Sequence, residues 1–475
     1  MNQLKELFCR WTGQLPAECL AIGQSSGGSS RRYYRLVGAG VSAIGTIGSD
    51  LRENEAFVAF TRHLHAKQMP VPELYAVSTD GTRYLQQDLG DTSLYSILYR
   101  KKQQGGGFDS EMLALYRKAL ADLARIQQAG RDMDFSLAFP RPAFDRRSIM
   151  WDLNYFKYNF LKLTETLFDE ERLENDFVRL ADCLLAADTT YFLYRDFQSR
   201  NIMVCGASDL YYIDYQGGRQ GAAQYDVASL LYSAKSDLPQ AIRDELLRHY
   251  IKVAGITNET EWTGYYYAYV LLRILQTLGA YGYRGIFQHK DYFLQSIPLA
   301  QNNLAHLLQE HPMQVRLPEI ERIAGSLHHT GADTPAFAPN TTLTVTVSSF
   351  SYKQGLPSDP SGNGGGHVFD CRALPNPGRY DQYKCYTGKD RPVIEFLQKE
   401  EPVLLFLQHT QAIVRQSVDK YIERGFSHLM VSFGCTGGQH RSVYCAEQTA
   451  LWLRTTYPAI NVIVRHREQD RPPCA

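Results

Sequence analysis

Asp196, Asn201 and Asp214 are the residues whose types and spacing point most directly to chemistry. They lie in YFLYRDFQSRNIMVCGASDLYYIDYQGG, Tyr191 to Gly218, where Asp196 and Asn201 form a D-x4-N pair and Asp214 follows thirteen residues later. Transfer of a γ-phosphoryl group requires a carboxylate that orients a hydroxyl and accepts its proton, together with oxygen ligands for the Mg²⁺ ions that neutralise a triphosphate. The segment supplies both kinds of group.

The surrounding residues read as the means of holding them. Asn201-Ile-Met-Val204 and Leu210-Tyr-Tyr-Ile-Asp214 are short apolar runs on either side of the turn Cys205-Gly-Ala-Ser-Asp209, so a hairpin would bring Asn201 and Asp214 together. A surface hairpin with scattered polar groups is the alternative. An aspartate at the end of the second strand, before Gly217-Gly218, favours the catalytic reading.

LYRDFQSRNIMV, YYIDYQGG and QYDVASLLYSAKSDLP, Gln224 to Pro239, resemble the aminoglycoside phosphotransferase-like fold, most closely its AmgK-type branch of anomeric N-acetylmuramate and N-acetylglucosamine kinases. SSRRYYRL, Ser29 to Leu36, and YLQQDLGDTSL, Tyr84 to Leu94, match the same branch, and together these cover roughly the first 310 residues. The resemblance implies an α+β bilobal protein-kinase-like fold that uses ATP and Mg²⁺, with Asp196 as catalytic base and Asn201 and Asp214 as magnesium ligands. It also implies nucleotide contacts from Ser29, Ser30, Arg32, Gln87 and Asp88, and acceptor contacts from Arg195, Asp152 and Asp237. Asp226 would buttress the site from the following helix, or act as an N-cap or a buried hydrogen-bonding group.

Two departures from that pattern stand out. Tyr194 occupies the place where many such loops carry histidine, and no lysine occurs between Lys5 and Lys67, so the strand lysine that usually pairs with nucleotide phosphates is missing. Arg31, Arg32 and Arg35 are the nearest cations, and guanidinium binds phosphate oxygens in a bidentate manner. The run Gly23-Gln-Ser-Ser-Gly-Gly-Ser-Ser30 before them has the small residues of a phosphate-covering hairpin.

The remaining elements of this region are scaffold. Phe57, Phe60 and Leu64 recur at helical spacing, as do Leu113, Tyr116, Leu120 and Leu123, and Glu55 opens the first of these helices as a solvated residue or the partner of a nearby cation. Gln86-Gln-Asp-Leu-Gly-Asp91 reads as a hinge whose backbone could hydrogen-bond adenine. The aromatic helix WDLNYFKYNF, which carries Asp152, reads as the floor of a sugar pocket or as core.

A second domain follows. We expect the first to span 1–325, a linker at 326–341 and a smaller α/β domain at 342–475, opening with the β-branched run Leu343 to Ser348. Its centre is HLMVSFGCTGGQHRSVYCAEQTALWL, a buried strand, a glycine turn and an apolar helix. Cys435, Thr436, Gly437, Gly438, His440, Arg441 and Ser442 would form an anion nest at that helix N-terminus. Cys435 and Arg441 also satisfy the C-x5-R pattern of cysteine-dependent phosphatases.

TVSSFSYKQGLP, VFDCRALPNPGRYDQYKCYTGKDRPVIEFL and VSFGCTGGQHRSVYCAEQ resemble the C-terminal domain of RapZ-type RNase adapters over nearly all of residues 343 to 468. That resemblance implies binding of an amino-sugar phosphate and contact with RNA rather than catalysis. No G-x4-G-K-[ST] accompanies it, and the chain ends HREQDRPPCA without the family's basic tail, so RNA is an open expectation.

The 475 residues carry 50 basic and 50 acidic side chains, a balance that gives no general attraction to nucleic acid or membrane. Nine cysteines without a C-x2-C pair fit a reducing compartment, and no signal sequence or bilayer-length apolar run is present. We expect a cytoplasmic sugar kinase whose second domain senses a phosphosugar, with a pseudokinase scaffold or an RNA adapter as competing readings.

Overall fold

Strands β1 (Glu18–Ile22), β2 (Arg32–Gly38), β3 (Val41–Ile47), β4 (Leu74–Val77) and β5 (Arg83–Gln87) pair antiparallel in the order β1-β2-β3-β5-β4. Helix α1 (Asn2–Thr12) precedes them and α2 (Leu51–Ala66) joins β3 to β4. Strand alternation sorts the side chains of β2. Tyr34 and Leu36 pack with Leu4, Leu7 and Phe8 of α1, while Tyr33 and Arg35 take the opposite face. Asp50 caps α2 by accepting the N–H groups of Arg52 and Glu53, and Phe57, Phe60 and Leu64 are buried. Full burial of each of those three contributes about 1.5–3 kcal/mol.

In this computed structural model the described residues are 2–22, 31–206, 208–288, 290–311, 313–330, 342–357, 359 and 365–469, and the chain divides into two units, 1–333 and 334–475. The rest of the first unit is largely helical. Helices α3 (Leu94–Gln103), α4 (Ser110–Ala129), α5 (Arg146–Phe156) and α6 (Glu170–Leu185) lead to short strands β6 (Tyr191–Leu193), β7 (Ile202–Cys205), β8 (Asp209–Tyr212) and β9 (Arg219–Gly221). Then follow α7 (Gln224–Leu231), α8 (Gln240–Val253), α9 (Glu259–Tyr281), α10 (Asp291–Leu294), α11 (Ile297–Glu310) and α12 (Pro318–Thr330). Ser93 starts α3 with a reciprocal capping box, and Asp109, Asp145 and Asp169 cap α4, α5 and α6. Each such cap stabilises its helix by about 1 kcal/mol.

One apolar core joins the sheet to the helices. Phe57 of α2 stacks on Tyr84 and Tyr215, and Thr61 Oγ1 lies 2.7 Å from the Tyr215 hydroxyl, so α2 is tied to the residue after Asp214. The expected helix carrying Leu113, Tyr116, Leu120 and Leu123 is α4, and it packs into the same core.

The second unit is a parallel sheet of β10 (Thr344–Ser351), β11 (Gly366–Asp370), β12 (His428–Cys435) and β13 (Asn461–His466), in the order β11-β12-β10-β13. Helices α13 (Arg391–Gln398), α14 (Glu401–Glu423) and α15 (Arg441–Thr456) complete it. Every residue of β12 is buried, as a central parallel strand requires. The expected linker begins too early: α12 continues through Thr330 because Leu327 still packs into the first core, and 331–341 lie outside the described residues. No helix among the described residues is long and apolar enough to cross a membrane.

Candidate active site

Asp196 lies on the connection from β6 to the single 3-10 turn Ser199–Asn201. That connection is fastened from below by Asp226, which is fully buried in the first turn of α7 and accepts the N–H groups of Tyr194 at 2.7 Å and Arg195 at 3.0 Å. Burial pushes the Asp226 carboxyl up to about 7, against the pull of those two N–H groups. The N-cap of α7 is Ala223, so Asp226 is a buried buttress and not a cap. It holds Arg195 at φ 81°, a left-handed conformation that costs on the order of 1–3 kcal/mol for a non-glycine residue. Tyr194 supports the other side: its hydroxyl donates to the carbonyl of Ile213 at 2.6 Å.

The hairpin β7–β8 brings the other two residues together. Asn201 Nδ2 donates to the carbonyl of Asp196 at 2.9 Å and to Asp214 Oδ2 at 3.2 Å. Asp214 follows β8, at φ 73°, and its second oxygen accepts Gln216 Nε2 at 2.7 Å. Burial and then the charge of Asp196 push the Asp214 carboxyl upward. A divalent cation would relieve that crowding. The Asp214 carboxylate and the amide oxygen of Asn201, which would hold it, are the hard oxygen donors Mg²⁺ prefers.

Above this loop the structure redistributes the predicted cations. Arg32 lies exposed on the α1 face of β2, with Tyr34 and Leu36, because residues two apart in a strand share a side. Arg35 is held by Asp88 and Asp91, with its Nε 2.7 Å from Asp88. Burial opposes ionisation of Asp88, yet Arg35, Ser42 and the N–H of Gly90 hold its carboxyl below the ordinary range. Arg31 is the buried cation: it lies 3.7 Å from Glu53 of α2 and bonds Asn54 Oδ1 at 3.4 Å. Its charge is favoured, against burial, by Tyr84, Glu53, Tyr33 and Asp214. Glu53, not the exposed Glu55, is thus the helix carboxylate that meets a cation. Ser29, Ser30 and the glycine-serine run lie outside the described residues. Gln87 and Asp88 line an open cavity between the hinge and the β7–β8 hairpin.

The three predicted acceptor residues are not brought to one site. Arg195 and Asp152 form a bidentate pair, at 2.7 and 2.8 Å, in which each consumes the other. Asp237 is exposed beside Lys102, 3.6 Å away. The cavity that Asp196 lines is built from other residues: Arg200, Ser229, Lys235, Arg273, Arg284 and a set of tyrosines. Sequence reading missed these and Gln216. Arg273 did leave a signal, as the one charge in the apolar stretch of α9 that follows Glu261.

In the second unit the turn between β12 and α15 wraps Cys435. The Gly438 N–H donates to Cys435 Sγ at 3.2 Å and Ser442 Oγ lies at 3.1 Å. Burial raises the thiol pKa, but the bonds from Ser442, Gly438 and Gly437 outweigh it and hold the thiol below its ordinary value. Gly438 has φ 68°, and a Cβ there would stand 2.5 Å from a Glu468 carboxylate oxygen, so glycine is required. Both predicted cations face away. Arg441 donates to the carbonyls of Arg372 and Leu374, and His440 Nε2 to that of Tyr383. Only Thr436 and Gly437 of the nest are exposed.

Comparison with known proteins separates the same two regions. Residues 343–470 match the RapZ C-terminal domain. There the chain is 44% identical over 126 residues to a nucleotide-binding protein of Ralstonia nicotianae, covering 26% of this chain and 40% of that protein. A nucleotide-binding protein of Cupriavidus taiwanensis is 46% identical over 127 residues, again 26% of this chain and 40% of the relative. The chain thus spans about 40% of the length of the curated relatives it matches. Among solved structures, a spectinomycin phosphotransferase in complex with ADP and spectinomycin has a TM-score of 0.44 at 12% identity, over 69% of this chain and 98% of its own. Choline kinase LicA from Streptococcus pneumoniae has 0.40 at 14%, over 64% and 98%. Residues 22–265 of the 475, which hold the Asp196, Asn201 and Asp214 constellation, match the family profile described as phosphotransferase enzyme family, and the chain belongs to that family.

Proposed function

We propose that the first unit transfers the γ-phosphoryl group of ATP, with Mg²⁺, to the anomeric hydroxyl of an amino sugar of the N-acetylmuramate or N-acetylglucosamine type. The observation that carries this reading is the position of Asp196. It lines a polar cavity, while Asn201, bonded to its carbonyl, turns toward Asp214. In this reading Asp196 orients the sugar hydroxyl and takes its proton as the bond to phosphorus forms. Asn201 and Asp214 would hold Mg²⁺, which when bound neutralises the phosphate charge. Arg31, braced by Glu53, stands in for the absent strand lysine. Asp226, Tyr194 and the Arg195–Asp152 pair act by holding the loop.

For the second unit we propose a phosphosugar ligand at the mouth of the Cys435 turn, where Thr436 and Gly437 are exposed at the positive end of α15. A cysteine phosphatase is the weaker reading, because Arg441 is spent on backbone carbonyls instead of facing an oxyanion. Cytoplasmic location goes with both proposals.

The test is ADP release and phosphorus NMR with ATP, Mg²⁺ and a panel of amino sugars and aminoglycosides. We expect an acid-labile sugar 1-phosphate whose formation falls roughly 10²–10⁴-fold in Asp196→Asn, the usual range for losing a general base. Sugar-independent ADP release, or a product phosphorylated elsewhere on the ring, would overturn the anomeric assignment.

A further inference from the structure

The cavity beneath Asp196 has an unusual balance of charge. Four cations line it: Arg200 from the catalytic loop, Lys235 after α7, Arg273 on α9 and Arg284 in the π-helical turn Gly282–Phe287. Among the described side chains, Asp196 is the only carboxylate on the same wall. A pocket made for a neutral sugar has no need of such an excess, because hydroxyls are read by a few well-placed neutral or acidic groups.

The cations are not equivalent. Arg273 belongs to the wall, since it donates to the Tyr225 hydroxyl, Ser229 Oγ and Gln276 Oε1. Lys235 is different. Its Nζ is buried and has no hydrogen-bond partner among the described residues. It lies 2.8 Å from the centroid of the Tyr292 ring and 4.6 Å from that of Phe293. Burial, then Arg200 and Arg284, push its ammonium down to about 7. Aromatic faces stabilise a cation only in part, and a buried ammonium without a counter-charge is costly. An anion on the ligand would supply that charge.

The nucleotide is not the source of this anion. Asn201, Asp214, Arg31 and the hinge residues Gln87 and Asp88 do not line the cavity, so it lies on the acceptor side of Asp196.

We infer that the acceptor carries an anionic group, a carboxylate or a phosphate, which Lys235 and Arg200 receive while Asp196 faces its hydroxyl. This rests on the reading of the first unit as a sugar phosphotransferase and narrows its substrates to charged sugars. Lys235 is then the residue that determines specificity, and an uncharged sugar of the same shape leaves its ammonium unpaired.

The experiment compares four acceptors with the full chain, ATP and Mg²⁺: N-acetylmuramate, its methyl ester, N-acetylglucosamine and N-acetylglucosamine 6-phosphate. The ester removes the charge while keeping the bulk, and the 6-phosphate distinguishes a phosphate from a carboxylate. We expect kcat/KM for one of the two anions to exceed that for its uncharged counterpart by about tenfold or more, the scale of one charged hydrogen bond. Lys235→Met should erase that preference, chiefly by raising KM for the anion, and Lys235→Arg should keep most of it. Equal kcat/KM for the charged and uncharged sugars in the unmodified protein would overturn the inference. If no sugar is phosphorylated, the phosphotransferase reading fails separately. Calorimetric binding of the acid and its ester in the presence of ADP then decides: a preference for the acid that Lys235→Met removes supports the anion site, and no preference ends it.

Discussion

The Asp196 loop and the Cys435 turn are built alike, yet they dispose of their charged groups in opposite ways. Each follows a buried strand and gathers polar groups at a tight bend. In the first unit a dedicated scaffold does the holding. Asp226 takes the backbone N–H groups, Asp152 takes Arg195, and Tyr194 takes a carbonyl, so Asp196 and Lys235 are left facing a cavity. In the second unit the residues that look functional are themselves the scaffold. Arg441 and His440 brace neighbouring carbonyls, and the turn N–H groups converge on the Cys435 sulfur. A charged residue beside a bend is therefore available to a ligand only when some other residue has met the needs of the backbone.

Three substitutions would sharpen or break that contrast. Asp152→Ala leaves the Arg195 guanidinium without its carboxylate in a mostly buried place, and removing one partner of such a pair costs about 3–5 kcal/mol. We expect a loss of that size in chemical denaturation of the first unit. An acceptor-specific rise in KM with unchanged stability would instead return Asp152 to the substrate.

Arg441→Lys comes next in size. Both carbonyls, of Arg372 and Leu374, accept from one guanidinium nitrogen, Nη1, which stands one bond farther along the side chain than a lysine ammonium reaches, and charged hydrogen bonds contribute about 1.5–3 kcal/mol. Unfolding of the second unit should shift by that amount. Loss of phosphate or glucosamine 6-phosphate binding without loss of stability would make Arg441 a ligand residue and erase the contrast between the two bends.

The smallest effect is the titration of Cys435, followed as thiolate absorbance in a difference between the natural protein and Cys435→Ser. The folded thiol titrates below its ordinary value of 9.0. A depressed folded pKa means that the unfolded chain binds more protons between the two values, so the stability advantage over the serine variant rises with pH through that window and is lost as pH falls below it. A midpoint at or above the ordinary value would show that burial wins over the hydrogen bonds. Cys435-dependent hydrolysis of a phosphate monoester would revive the phosphatase reading.

The legibility of the molecule in its sequence was uneven for physical reasons. The hairpin carrying Asn201 and Asp214 was readable because strand pairing across a short turn is local, and the two side chains meet at 3.2 Å. The buried strand before Cys435 was readable because a parallel strand covered on both faces is continuously apolar. The cavity that Asp196 lines was not, because Arg200, Lys235, Arg273 and Arg284 come from four separate segments. Arg32 was misplaced for a simpler reason: in a strand the neighbouring residue, Arg31, faces the other way.

What the sequence by itself determined is the chemistry available and its order along the chain: a D-x4-N pair and a second aspartate in one region, a cysteine turn in another. These depend on backbone turns and periodicities that a few adjacent residues dictate. Only the tertiary structure decided which charges remain for a ligand. Arg195, Arg35, Arg441 and His440 each found a partner far away in sequence, whereas Lys235 found aromatic rings and no hydrogen-bond acceptor among the described residues. A side chain's partner is set by what the folded chain packs around it, and no local pattern encodes that.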